Sequence, residues 1–341
     1  MTPALRTAGR PRALRRAALP GSALLLAVLC VTSLFVGSGS IGFAETLDAL
    51  TGAGEDDTTT LLVREYRVPR TVLALLVGAA LGLAGTVVQA LTRNPLADPG
   101  ILGVNAGAYT AVVFGAAFLG AGATAGQVWF GLAGAAVTAI LVHVIGTTGA
   151  QAGSPVKLVL TGVAVGAVLS GVAFAVSVVR PEVFDRVRFW QVGSLQGRRW
   201  ETVLAILPFV VVGVALTLAL TRPLNALALG DDTAASLGTR VLVVRLAGLA
   251  AVTLLCGAAT AAAGPISFLG LMVAHAVRAV TGPDLRRVLP VSLLAAPALF
   301  LAADVLGRVL VPSELPVGIV TAFLGAPLLI LLTRRRGGGR L

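Results

Sequence analysis

Charge is what this chain has least of. Only 12% of its 341 residues are charged and 57% are hydrophobic, whereas soluble domains are about a quarter charged. A water-soluble globular fold is thereby excluded, and a polytopic membrane protein is expected. Lysine is nearly missing as well, since Lys157 is the only one. No stretch reads GxxxxGK[ST], so the polypeptide has no phosphate-cradling loop of its own, and any nucleotide must be hydrolysed by a partner. Cys30 and Cys256 both lie in apolar runs, where a thiol behaves as a small hydrophobe. Two isolated cysteines make neither a metal site nor a disulfide framework.

Metal and acid/base clusters are absent too. There is no HExxH, so an intramembrane enzyme is not expected; no catalytic residue, metal or cofactor is assigned. His143 and His275 lie in separate apolar runs without a partnering carboxylate, and packing or an interface position accounts for them without a proton relay. The formal charge of +11 would suit nucleic acid. That partner is not expected, because the arginines stand at the ends of apolar runs rather than on one face interleaved with aromatics.

Long apolar runs are what the chain has in abundance. A helix needs about 20 residues to cross roughly 30 Å of hydrocarbon, and the sequence supplies about ten such spans. The run 17–44 is too long for a signal h-region and is expected to be retained. Further spans are expected near 71–92, 101–119, 125–145, 157–179, 202–221, 246–263, a short one ending at Arg278, 288–303 and 315–333. Gly120-Ala121-Gly122 and Gly264-Pro265 break stretches too long for one helix. Phe189, Trp190 and Trp200 carry rings suited to a membrane interface.

The run 71–92 is expected to be the axis of the arrangement. Arginines open it and the turn Thr92-Arg93-Asn94-Pro95-Leu96-Ala97-Asp98-Pro99-Gly100 closes it; that turn, with two prolines, has to face water or line a cavity. With ten spans both termini share one side. That side gathers the tail arginines, Arg93, Lys157, Arg222, Arg240, Arg245, Arg278, Arg286 and Arg287 against only Asp98, Asp231, Asp232 and Asp284. Basic residues accumulate on the cytoplasmic side, which makes it the inner one. The expected layout is a basic cytoplasmic tail over 1–16, one transmembrane domain over 17–333 and a second basic tail over 334–341.

Several blocks occur in order: Arg67-Val68-Pro69-Arg70, Gln89-Ala90-Leu91, Asn94 to Pro99, Gly103-Val104, Leu229 to Asp232, Ala235 to Gly238, Gly264-Pro265-Ile266 through His275, Gly282-Pro283-Asp284 and Glu314 to Gly318. No single tetrapeptide is specific, but the ordered set, covering about 67–333, resembles the FecCD-type permeases. These are the membrane subunits of ABC importers for iron-siderophores, heme and cobalamin. The resemblance implies an all-α integral membrane bundle of about ten helices that dimerises with a second copy or a paralogue. It also implies ATP-binding cassette subunits on the cytoplasmic side and a substrate-binding protein outside. An iron-siderophore-type chelate is the implied cargo, with cobalamin or heme as alternatives. An ion-coupled secondary carrier is a further competitor, but it needs ionisable residues near the midplane that this chain hardly offers.

Carried over residue by residue, Asn94 and Leu96 match the turn that closes the cytoplasmic mouth of the pathway; the alternative is an ordinary loop. The stretch 222–240 matches the coupling loop, with Gly230, Asp231, Asp232, Ala235, Ser236, Leu237 and Gly238 as its ATPase-contacting part; the alternative is a solvated surface helix. There the residues themselves suggest one short helix, N-capped by Asp231 and stopped by Gly238 at C′. Arg67, Arg70 and Arg308 match sockets for glutamates of the binding protein; the alternative is that they anchor helix ends at lipid headgroups. Asp304, near Arg308, is read as an ion pair or an interface residue.

Overall fold

The computed structural model describes residues 12–37, 41–52, 57–120, 124–148, 155–311 and 313–337, and every regular element among them is helical. The chain opens with α1 (Arg12–Phe35), α2 (Phe43–Thr51) and α3 (Asp57–Leu62), then passes through one π-turn (Val63–Arg67) into α4 (Val68–Thr92). A 3₁₀ turn (Pro99–Leu102) leads to α5 (Val104–Phe118), α6 (Thr124–Thr147), α7 (Pro155–Val179), α8 (Pro181–Gln191) and α9 (Trp200–Ala219). After α10 (Thr221–Leu227) and α11 (Asp231–Ser236) come α12 (Val241–Ala263), α13 (Leu269–Thr281), α14 (Leu285–Leu310) and α15 (Val317–Gly337).

Seven of these are long and apolar enough to cross a membrane, and α5, α13 and the Val317–Leu328 part of α15 are shorter apolar helices. Each falls on one of the expected runs, although α1 begins at Arg12 and α15 continues to Gly337, so both helices take in residues assigned to the basic tails. The remaining tail residues 1–11 and 338–341 lie outside the described residues, as do Ala121 and Gly122 of the first break. Gly264 does break its run as expected, with φ at 80° between α12 and α13.

The helix α4 is the axis that its sequence suggested. It is buried over most of its length, packs on α9, α12, α13 and α14, and is far more enclosed than α1, α6 or α7. Its glycines explain the close approach. A Cβ on Gly78 would stand 2.5 Å from the Pro297 Cα of α14, one on Gly82 2.3 Å from the Ala296 Cβ, and one on Gly85 2.5 Å from the Gly270 carbonyl of α13. Small residues let backbones meet where no hydrophobic drive separates helix from lipid. Large apolar side chains such as Trp129, Ile140, Val168 and Phe174 on α6 and α7 point outward instead, onto the surface that faces lipid or another subunit.

One sequence expectation is corrected by this packing. Trp190 is buried, 3% exposed, donates its indole N–H to the Ala261 carbonyl and lies parallel to Tyr109 at 6.3 Å, so it belongs to the core and not to an interface. The polar segments between spans carry the short helices α2, α3, α8 and α10. Residues flanking a span look merely polar because each short helix has only one face to bury.

Candidate functional site

At the first end of α4 the structure gathers four arginines from three distant parts of the chain. Arg70 grips Asp304 side-on, Nε to Oδ2 at 3.1 Å and Nη2 to Oδ1 at 2.8 Å, and sends Nη1 to Glu314 at 2.8 Å. Arg308, one turn beyond Asp304 on α14, reaches the same carboxylate with Nε at 3.0 Å and donates Nη1 to the Ser33 and Val36 carbonyls at the end of α1. Glu314 reaches Arg70 because the chain folds back after α14, with Leu315 N–H bonded to the Gly307 carbonyl at 2.9 Å. Arg67 donates to the Leu34 carbonyl at 3.2 Å and sits against Gly37, where a Cβ would collide with its Nε at 2.8 Å.

The fourth arginine is Arg198, on the loop between α8 and α9. Gly197, at φ 69°, is the left-handed corner of the turn Leu195-Gln196-Gly197-Arg198, closed by a 3.4 Å bond from Arg198 N to Leu195 O. The loop is pinned below, where Ser194 N donates to Ala263 O at 2.7 Å and Gly193 O accepts from Gly318 N at 2.9 Å. Arg198 is buried, its Nε has no hydrogen-bond partner, and burial pushes its guanidinium down to about 10. Arg67, Arg70, Arg198 and Arg308 share one cavity of about 180 Å³ with Tyr66, Gln196 and Glu314.

At the opposite end of α4 lies the proline turn. Its stiffness comes from side chains as well as prolines: Asn94 Oδ1 accepts the Leu96 N–H at 3.0 Å, and Asp98 Oδ1 accepts the Gly100 N–H at 2.8 Å. Arg93, left-handed at φ 49°, ends α4 and turns its side chain toward α11. Its Nε donates to the Leu227 carbonyl at 2.9 Å and its Nη2 pairs with Asp231, whose other oxygen takes Arg245 Nη2 of α12 at 2.7 Å. One exposed carboxylate therefore joins the turn, α11 and α12.

The helix α11 is stopped as expected and started differently. Gly238, at φ 81°, occupies C′, with its N–H on the Ala235 carbonyl and the Thr239 N–H on the Ala234 carbonyl, the paired bonds of a Schellman end. Asp231 is not the N-cap. Gly230 at φ 112° takes that position and Asp231 becomes the first helical residue, with its side chain spent on the two arginines rather than on backbone N–H groups. Asp232, Ala235, Ser236 and Leu237 follow on the helix and its C-cap, and Leu237 exposes its apolar side chain. Nearby, Asn225 ties α10 to the start of α14 through Asp284 at 2.8 Å; the Arg286 backbone N–H, with Asn225, Arg286 and Arg287, holds the Asp284 carboxyl below the usual carboxylate range.

Between the two ends, α5, α7 and the loop before α13 enclose an open groove of about 700 Å³ whose lining includes Gly100, Gly103, Ala106, Gly162, Gly166 and Ala167, with Asn105, Tyr109, Ser170, Gln191 and Ser267 as its polar points. Among the described residues no cluster of histidine, cysteine or carboxylates could hold a metal ion.

Sequence reading therefore found Arg67, Arg70 and Arg308, and the structure brings them together. It took Asp304 for an ion pair or an interface residue; at 1% exposure the ion pair is what is found. It missed Glu314, Arg198 and Arg93. The (i, i+4) spacing of Asp304 and Arg308 was a legible signal; no spacing announces contacts across the bundle.

Among the described residues every regular element is helical, with seven long apolar helices and three shorter ones. The chain belongs to the FecCD transport family, whose model matches residues 25–335. It is 48% identical to the ferric enterobactin transport system permease protein FepD of Escherichia coli, over 95% of this chain and 97% of that one. The Fe(3+)-citrate import system permease protein YfmD of Bacillus subtilis is 40% identical over 89% of this chain and 90% of its own. The cobalamin import system permease protein BtuC of Halobacterium salinarum is also 40% identical, over 83% and 76%. Among solved structures, a metal-chelate type ABC transporter in an inward-facing conformation superposes with a TM-score of 0.81 at 27% identity, covering 94% of this chain and 99% of that one.

Proposed function

We propose that this chain is the membrane-spanning permease subunit of a binding-protein-dependent ABC importer that moves an iron-siderophore-type chelate into the cytoplasm. The observation that carries the reading is the 48% identity, end to end, with a ferric enterobactin permease. ATP is hydrolysed on a separate subunit, consistent with a polypeptide that has no phosphate-binding loop. Cobalamin or heme is the second reading for the cargo, supported at the lower identity of the halobacterial cobalamin permease.

In this reading ten helices cross the bilayer and both termini are cytoplasmic. Asn94 and Leu96 form the inner gate, α11 with Leu237 docks to the ATPase, and Arg67, Arg70, Arg198 and Arg308 face the binding protein outside. The groove beside α5 and α7 becomes half of a central pathway when a second permease, identical or paralogous, closes it. Its small side chains suit a bulky cargo that is passed on rather than held.

Two experiments test this. A strain deleted for the gene should lose uptake of one member of a panel of ferric siderophores, heme and cobalamin and regain it with the gene; unchanged uptake of all of them ends the proposal. For orientation, Thr59→Cys and Ser313→Cys should react with an impermeant thiol reagent in intact cells. Labelling of Thr233→Cys from outside would invert the topology.

A further inference from the structure

The arginines at the α11 end of the bundle fall into two groups. Arg93 and Arg245 share Asp231, and Arg278 reaches back to Gln89 and to the Thr86 carbonyl of α4. Arg222, on α10, and Arg286, in the first turn of α14, are exposed, and among the described residues neither guanidinium has a hydrogen bond or an ion pair. Asp284 is electrostatically close to Arg286, but its carboxylate is engaged by the Arg286 backbone N–H and the Asn225 side chain. These two arginines line one groove. It lies between the last turn of α9, the start of α10 and the first turns of α14, holds about 430 Å³, and has an apolar wall that includes Leu218, Ala219, Leu289 and Pro290.

We infer that this groove binds an anionic phospholipid, with Arg222 and Arg286 on the headgroup phosphate and the apolar wall along the start of an acyl chain. Only an amphiphile satisfies both halves of the lining. A water-soluble phosphate leaves the apolar wall wet, and a plain hydrocarbon strands two guanidiniums without an anion. Each guanidinium offers a fork that matches two phosphate oxygens, and the positive end of the α14 dipole adds to the same field. Basic pockets between membrane helices on the cytoplasmic side suit such headgroups.

The level of the groove agrees. Helix α9 is a 20-residue apolar span that ends here, and such a length matches the roughly 30 Å of hydrocarbon, so the groove stands where headgroups begin. Which leaflet that is rests on the orientation proposed above; the binding does not. Three residues beyond Arg222, Asn225 joins α10 to α14 through Asp284 at 2.8 Å and the Leu285 N–H at 3.0 Å. A headgroup held by Arg222 and Arg286 spans the same junction from the lipid side.

The test is native mass spectrometry of the full-length chain titrated with phosphatidylglycerol or phosphatidylcholine. Wild type should take its first phosphatidylglycerol more tightly than its first phosphatidylcholine, and the double variant Arg222→Gln, Arg286→Gln should weaken that first site about twenty-fivefold, about fivefold for each arginine. Arg287→Gln removes an exposed arginine of the same turn that does not line the groove, and should leave the site unchanged. Equal affinity for the two lipids in wild type, or an equal loss in Arg287→Gln, overturns the inference in favour of diffuse charge. Displacement of the lipid by excess inorganic phosphate would assign the groove to a soluble anion instead. A double variant that keeps its lipid but no longer assembles with ATPase subunits would make the pair a protein contact, and the inference falls. Wild-type protein supplies a readout that needs no variant: phosphatidylglycerol with a photoactivatable group near its headgroup should label the peptides that hold Leu218 to Arg222 and Arg286 to Pro290. Labelling spread evenly over the spans overturns the inference even where the double variant fails to fold.

Discussion

At one end of α4 the carboxylate of Asp304 is 1% exposed and shared by Arg70 and Arg308; at the other, Asp231 is shared by Arg93 and Arg245 with about 40% of its side chain in solvent. Both are one acid between two arginines drawn from different helices. Burial separates them. In the Asp304 cluster Arg308 is also bonded to the Ser33 and Val36 carbonyls at the end of α1, so the group is a fixed joint between α1, α4 and α14. In the Asp231 cluster water competes for every contact, and the link can open and close at little cost. A surface that must present a preformed shape to a partner suits the first arrangement, and a junction that must move with one suits the second.

The largest effect should come from breaking the buried joint. Asp304→Ala leaves Arg308 and most of Arg70 buried without a counter-charge, and should destabilise the protein by about 3–5 kcal/mol. Thermal unfolding of the purified chain measures it, and a midpoint close to wild type would mean that water reaches the cluster.

Next is the stop of α11. Gly238 is left-handed with open space where a Cβ would go, so only backbone strain opposes substitution. Gly238→Val should therefore cost about 1–2 kcal/mol locally, lower transport and stimulated ATPase together, and leave membrane insertion intact. Normal transport by that variant would remove α11 from the coupling path.

The smallest effect in stability should come from the exposed joint, and there the comparison is sharpest. Asp231→Asn should change the unfolding free energy by less than about 1 kcal/mol, yet uncouple ATP hydrolysis from transport. Arg93→Asp and Asp231→Arg should each do the same, and the double exchange should restore part of the coupling. A large loss of stability in Asp231→Asn would make the two ends alike.

How much of this was legible in the residues follows the range of each interaction. Apolar runs, the breaks at Gly120 and Gly264 and the left-handed Gly238 were readable because each depends on a few neighbouring residues. Arg70 with Glu314, or Arg93 with Asp231, was not, because 244 and 138 positions separate the partners. The helix start shows the same limit within one turn. Asp231 has the composition of an N-cap, but two arginines from elsewhere hold its carboxylate.

By itself the sequence determined that this chain lies in a membrane, where its long apolar helices run, and which family blocks it carries. Hydrocarbon length and backbone hydrogen bonding leave few other solutions for such a composition. Tertiary structure alone decided which arginines are answered and which is not. Charge state and availability depend on what packs within a few ångströms, and antiparallel helices joined by a distant turn bring those neighbours together. Arg198 and Arg308 are the same residue type, at the same end of the bundle and equally buried; Arg308 has Asp304 beside it, and Arg198 has an open cavity.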